Sequence, residues 1–203
     1  MMRFLLYIKH HLGFIWKTVE LLNGFLFSML WGRKLQAAAV AVCKAYSNQQ
    51  FTYLPATASD LAALSAFFAR QPEESYRYFK PHAFDEKTLR GLYANPSFFQ
   101  LLVKDQSGAL AGYFLIRFFV NRQAFVGYLV GQDYQGRGIA KAMCLITFKI
   151  CWDHGFRTFA TVSKENERAL AVYRHINDFK VIKELADNYL HIEYVKAGME
   201  KRE

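Results

Sequence analysis

Near its middle the chain reads Gln135-Gly136-Arg137-Gly138-Ile139-Ala140, between a run of strand character and a long run of helical character. Glycine lacks the side chain that would block a ligand, so consecutive N–H groups at the helix start can converge on an anion. The loop is therefore either a phosphate cradle or a tight strand-to-helix turn, and a turn alone does not account for two glycines flanking an arginine. Two common cradles are excluded by inspection. The dinucleotide fingerprint needs a third glycine where Lys141 stands, and a P-loop needs Gly-Lys followed by Ser or Thr, which is absent.

The elements around the loop follow from periodicity and turn residues. "FTYLPAT" reads as a short strand and "ASDLAALSAFFAR" as a helix capped by Ser59 or Asp60 and ending before Pro72. An aromatic connector, "SYRYFKPHAF", leads to a short helix, "DEKTLRGLY". Three strands then form a meander, "SFFQLLVKD", "ALAGYFLIRFFV" and "QAFVGYLVG", with turns at 106–108 and 121–122. After the loop come a helix from 138 to 154 stopped by Gly155, the strand "FRTFATVS", and a helix "ERALAVYRHI" capped by Asn166. "FKVIKELA" and "NYLHIEYVK" close the chain as paired strands. The pattern predicts a mixed α/β (α+β) fold: one mixed, mostly antiparallel sheet of six to seven strands, flanked by four helices, with a further helix at the N-terminus.

Residues 1–47 form an N-terminal helical extension and 48–203 the main domain. Phe4, Ile8, Leu12, Ile15, Val19, Leu22, Leu26 and Leu30 recur at spacings of three and four. Lys9, Gly13, Lys17, Glu20, Gly24 and Ser28 do the same on the opposite side. The polar stripe argues against a membrane span, and His10, His11 and Lys17 break the apolar run a signal peptide needs. Basic residues with Trp16 and Trp31 suit a helix lying in a membrane interface; packing of the stripe on the chain's own domain, or on a second copy through residues 1–31, is the alternative. This segment holds six basic residues against one acidic, so most of the net charge of +9 sits here. A nucleic-acid binder would spread it over the domain, and none is expected as a partner. Cys144 and Cys151 are about 10 Å apart along one helix, too far for a disulfide. Free thiols and no metal-ligand spacing imply a reducing compartment, hence a cytoplasmic protein, peripheral to the inner face of the membrane if the helix docks there.

Gln-Gly-Arg-Gly-Ile-Ala matches the Q/R-x-x-G-x-G/A signature of the GNAT superfamily of N-acetyltransferases. A second segment, "NERALAVYRHINDF", resembles the family's N-x-x-A-x-x-x-Y-x-x-x-G-F, with Asn166, Ala169, Tyr173 and Phe179 in register. Asn177-Asp178 replaces the usual single glycine. The resemblance covers residues 50–196. It implies the GNAT fold, acetyl-CoA as co-substrate without a metal, and direct acetyl transfer to an amine. It further implies that Gln135, Gly136, Arg137, Gly138, Ile139 and Ala140 bind the pyrophosphate, and that N–H groups around Leu129 and Val130, on a strand splayed from its neighbour, polarise the thioester. Asn166 would contact the pantetheine arm, and Tyr173 would protonate the departing thiolate.

The resemblance leaves the base open, because no carboxylate stands on "QAFVGYLV". His82 in the connector, with an intrinsic pKa suited to the task, and Tyr128, which could order a water, are the candidates. Tyr76, Tyr78, Phe79, Phe84, Tyr113 and Tyr128 would line the acceptor pocket. Aromatics there suit stacking on a sugar ring, a nucleobase or an apolar side chain. The aromatic-Pro-His connector resembles that of acetyltransferases of bacterial amino-sugar and surface-polysaccharide pathways, which implies a small amine acceptor such as an amino sugar. A protein N-terminal or lysine acetyltransferase is the rival enzyme, and a non-catalytic acetyl-CoA-binding module the rival of another class.

Overall fold

The computed structural model describes residues 13–196, with side chains from residue 18 onward; the first part of the N-terminal stripe lies outside them. The chain opens with α1 (Gly13–Phe27), which runs through a π-helical turn (Ser28–Gly32) into α2 (Arg33–Tyr46). Backbone angles stay right-handed helical at both junctions, so residues 13–46 form one continuous helix about 50 Å long. The extra residue of the π-turn offsets the drift of the helical face. Phe27, Leu35, Ala39 and Cys43 consequently lie in one buried line.

β1 (Phe51–Pro55) follows, then a 3-10 turn (Ala58–Asp60) leading into α3 (Leu61–Ala69). Asp60, one of the two expected caps, is the N-cap of α3, and Thr57 caps the 3-10 turn before it. Its side chain and that of Asp60 close a reciprocal capping box, and Asp60 also holds Lys104 at 2.8 Å. After the connector come α4 (Glu86–Tyr93), β2 (Phe98–Asp105), β3 (Leu110–Phe118) and β4 (Gln123–Val130). α5 (Ile139–Trp152), β5 (Arg157–Ser163), α6 (Glu167–Ile176), β6 (Phe179–Glu184) and β7 (Tyr189–Tyr194) complete the order.

The seven strands form one sheet, β1-β2-β3-β4-β5-β7-β6, in which β4 and β5 run parallel and the other neighbours antiparallel. Strand alternation builds a core on each face. α3, α4 and the connector cover Phe98, Leu102, Tyr113, Leu115 and Leu129 on one side. α2 and α5 cover Phe99, Leu101, Phe114, Ile116 and Phe118 on the other, and the line from Phe27 to Cys43 belongs to that second core.

The N-terminal helix packs through the face opposite the one its apolar stripe suggests. Val19, Leu22, Leu26 and Leu30 are exposed, whereas Gly24 and Phe27 are buried. Polar residues make that contact specific. Glu20 pairs with Arg117 at 2.6 Å, and Asn23 donates to Ser97 Oγ and the Phe118 carbonyl while accepting from the Val120 N–H. Gly24 passes so close to Asn95 that a Cβ there would lie 2.8 Å from Asn95 Oδ1. Trp31 turns inward, edge-on to Phe156 at 5.3 Å, with the Arg122 guanidinium over its ring. Packing of the stripe on the chain's own domain is thereby corrected.

Candidate active site

The site is built where β4 and β5 part. Their parallel pairing spans only Gln123 to Phe125 against Arg157 to Phe159. Beyond that β5 stays with β7, β4 stays with β3, and a wedge opens between them. Ladder alternation decides which backbone groups face it. At the two ends of the β3–β4 ladder Gly131 donates to Ala111 and Phe119 to Gln123, both at 2.9 Å. The odd-numbered residues of β4 therefore turn their N–H groups to β3, which commits Leu129 to Tyr113. Of the two N–H groups singled out on this strand, Val130's is the one directed into the wedge, joined by that of Tyr128.

Past Val130 the chain makes a 3-10 turn (Gln132–Tyr134) and reaches the glycines. Gly136 and Gly138 both adopt left-handed angles, φ +76° and +77°, and nothing lies within 4 Å of where a Cβ would stand. Conformation rather than crowding requires glycine at both positions. Gly138 is the N-cap of α5, no side chain caps the helix, and the first bond into it runs from Ala142 N–H to the Gly138 carbonyl at 3.1 Å. The N–H groups of Gly136, Arg137, Gly138, Ile139 and Ala140 stand before that bond, at the positive end of the helix. Such a cradle fits a pyrophosphate. Arg137 donates to the Asp133 carbonyl and lies over the Tyr134 ring, and Gln135 Oε1 accepts from Arg168 of α6 at 3.1 Å. The Tyr134 hydroxyl anchors the loop on Asp105 at 2.7 Å, and that bond leads those holding the Asp105 carboxyl down to about 2.

α6 closes the other side of the wedge. Asn166 Oδ1 accepts from Ala169 N–H at 3.1 Å, so the carbonyl end of its side chain is engaged in the cap. About two turns on, Tyr173 sets its ring edge-on to Tyr194 at 5.2 Å and 6.5 Å from Tyr128. Burial, then the adjacent Cys144 thiol, push its phenol well above the ordinary tyrosine value. Its O–H stays protonated across the neutral range. Burial also pushes the thiols of Cys43, Cys144 and Cys151 up to about 12, so none offers a thiolate nucleophile. The two-residue Asn177-Asp178 link needs no glycine. Asn177 is extended, and the Val195 N–H returns to the Asp178 carbonyl at 2.9 Å.

The opposite face of the wedge belongs to the connector. His82 Nδ1 lies 2.8 Å from the Ala83 carbonyl, which can only accept, so Nδ1 carries the proton. Nε2 lies 3.0 Å from the Tyr113 hydroxyl and accepts from it. Burial lowers the His82 pKa, against smaller raising effects of the Ala83 bond and the Asp85 charge. The imidazole is a neutral link between connector and sheet, its Nε2 lone pair engaged by the Tyr113 hydroxyl.

The aromatic lining departs from the expectation. Tyr113 is fully buried, Phe84 stacks on Phe68 at 4.2 Å, the Tyr76 hydroxyl bonds the Phe68 carbonyl, and Phe79 lies on the bare backbone at Gly127. Tyr128 points through the sheet to the α5 side, half-buried, with its hydroxyl buried near Cys144 and Thr147. Tyr78 alone of the six reaches across the wedge, its hydroxyl donating to the Glu165 carbonyl at 3.4 Å beside an Arg77–Glu165 ion pair of 2.9 Å. This strap joins residues 87 and 88 apart, and no local pattern announces it. The hydrogen bond from Arg168 to Gln135 escaped the sequence for the same reason.

Comparisons with known proteins agree with this geometry. The model of the acetyltransferase (GNAT) family matches residues 61–179, more than half of the chain. No curated protein matches. Among solved structures, Mycobacterium smegmatis RimJ in complex with a coenzyme A disulfide shares 20% identity at a TM-score of 0.60, covering 75% of this chain and 84% of that one. A ribosomal L7/L12 α-N-protein acetyltransferase in complex with coenzyme A shares 17% at 0.58 over 72% and 93%. The Vibrio cholerae spermidine N-acetyltransferase, in complex with coenzyme A and spermine, shares 19% at 0.56 over 72% and 94%. At such identities the likeness is one of fold. With the family model, the wedge between β4 and β5 and the loop at the start of α5 in agreement, the chain belongs to the GNAT family of acetyltransferases, whose acetyl donor is acetyl-CoA.

Proposed function

We propose that the protein moves the acetyl group of acetyl-CoA directly to the amine of a small acceptor, in a ternary complex, with an amino sugar as the favoured class. The observation that carries this reading is the wedge with a phosphate cradle at one end and a protonated phenol beside it. The pyrophosphate rests on the N–H groups of residues 136–140 with Arg137 in support, and the pantetheine arm lies along β4 against Val130. The neutral amine attacks the thioester carbon, and the resulting oxyanion takes hydrogen bonds from N–H groups facing the wedge. As the C–S bond breaks, Tyr173 gives its proton to the sulfur; the proton lost by the amine goes to water, since His82 is already engaged.

The strap from Arg77 and Tyr78 to Glu165 narrows the acceptor side, which favours a small molecule over a folded polypeptide. Protein acetylation is the second reading, and a donor-binding module without turnover the third. Thiol release from acetyl-CoA with nucleotide amino sugars, N-terminal peptides, lysine peptides and polyamines separates them. Turnover confined to amino sugars supports the proposal. Turnover confined to peptides establishes the second reading, and tight coenzyme A binding with no turnover across the panel the third.

A further inference from the structure

The outward face of the N-terminal helix has no use in acetyl transfer. Leu21, Leu22, Phe25, Met29 and Leu30 are between 56% and 75% exposed, and they crowd into ten residues of one helix. A solvated helix has no reason to keep such a face uncovered. The helix is also already anchored to the domain through its other side, by Glu20, Asn23, Gly24 and Phe27.

We infer that this face docks flat on a lipid bilayer bearing anionic headgroups. Charge chooses this occupant over a second copy of the chain. Of the charged residues between 18 and 46, Arg33, Lys34 and Lys44 are exposed and basic, while the acidic one, Glu20, is turned inward onto Arg117. Residues 1–12, which lie outside the described part and lead directly into the helix, add Arg3 and Lys9 and no acid. Pairing two copies through this face would bring like charge against like, whereas phosphate headgroups attract it. No described helix is long and apolar enough to cross a membrane, so the geometry is that of a helix lying in the interface.

The test is co-sedimentation of the full chain with vesicles of phosphatidylcholine alone and of phosphatidylcholine with one third phosphatidylglycerol, beside the variant Leu22→Glu/Met29→Glu. Both residues are exposed and outside the core, so the variant should keep the wild-type unfolding temperature. Wild type should bind the anionic vesicles, more weakly as salt is raised, and the variant at least roughly tenfold less. Equal partitioning of wild type and variant overturns the inference. So does binding that ignores phosphatidylglycerol, or a dimer that the substitutions dissociate in the absence of vesicle binding, which would give the face to a second copy.

Discussion

Replacing Gly138 by alanine tests the loop where its backbone is most constrained. At φ +77° a residue with a Cβ costs about 1–2 kcal/mol more than glycine, and nothing lies within 4 Å of the new methyl, so the cost is conformational and not steric. The loop can respond in two ways. If it keeps its shape, folding stability falls by about 1 kcal/mol or slightly more, and coenzyme A binds as before. If it relaxes, stability recovers but the N–H groups swing off the pyrophosphate. Each charge-assisted hydrogen bond lost is then worth about 1.5–3 kcal/mol, on the order of tenfold to a hundredfold in Kd. Gly91, exposed within α4 at an ordinary φ and with open space around it, supplies the control. There alanine should stabilise by about 0.5–1 kcal/mol and leave the ligand alone. Calorimetric titration with coenzyme A and urea unfolding read both quantities. A Gly138→Ala protein that unfolds like wild type and binds coenzyme A within about twofold would refute the assignment, since 1.4 kcal/mol corresponds to a tenfold change.

Two further outcomes follow from particular contacts. Burial lowers the His82 pKa below its unfolded value, so below about pH 6.5 the unfolded chain binds more protons. His82 should therefore contribute a loss of stability as pH falls below that value and none above it. Urea unfolding at pH 5.5 and 7.5 should show this for wild type and a smaller difference for His82→Asn; an unchanged difference would contradict it. Gly24→Ala should cost about 1–3 kcal/mol in chemical denaturation, because its methyl meets an Asn95 oxygen already fixed by Ser97. Wild-type stability would show that the helix does not pack through this face.

Much of the fold is written locally. The apolar runs and turn residues of 98–130, Gly155 after a helical run and Asn166 before another were each sufficient to place their elements, because the physics involved spans a few residues. Faces are harder. The stripe through Val19, Leu22, Leu26 and Leu30 gives the helix its apolar side, yet the side that packs is chosen by partners 71 to 97 residues away, at Asn95, Ser97 and Arg117. Tyr128 illustrates the same limit within a strand. Alternation says that it opposes Leu129, but not which face looks toward the acceptor. His82 was conspicuous by residue type, and only its distance to the Tyr113 hydroxyl reveals that its lone pair is occupied. The glycine loop was legible in its own residue types, and Tyr173 was singled out only by the resemblance of its segment to the family's; the Arg77–Glu165 strap was not legible at all.

The central claim is that acetyl leaves coenzyme A by direct attack, with Tyr173 protonating the sulfur. Tyr173→Phe tests it, since the ring keeps its edge-on packing against Tyr194 and loses only the hydroxyl. With the best acceptor of the panel, kcat for thiol release should fall by about two to four orders of magnitude, while the unfolding temperature and the Kd of coenzyme A stay close to wild type. A variant that turns over within about threefold of wild type would contradict the claim.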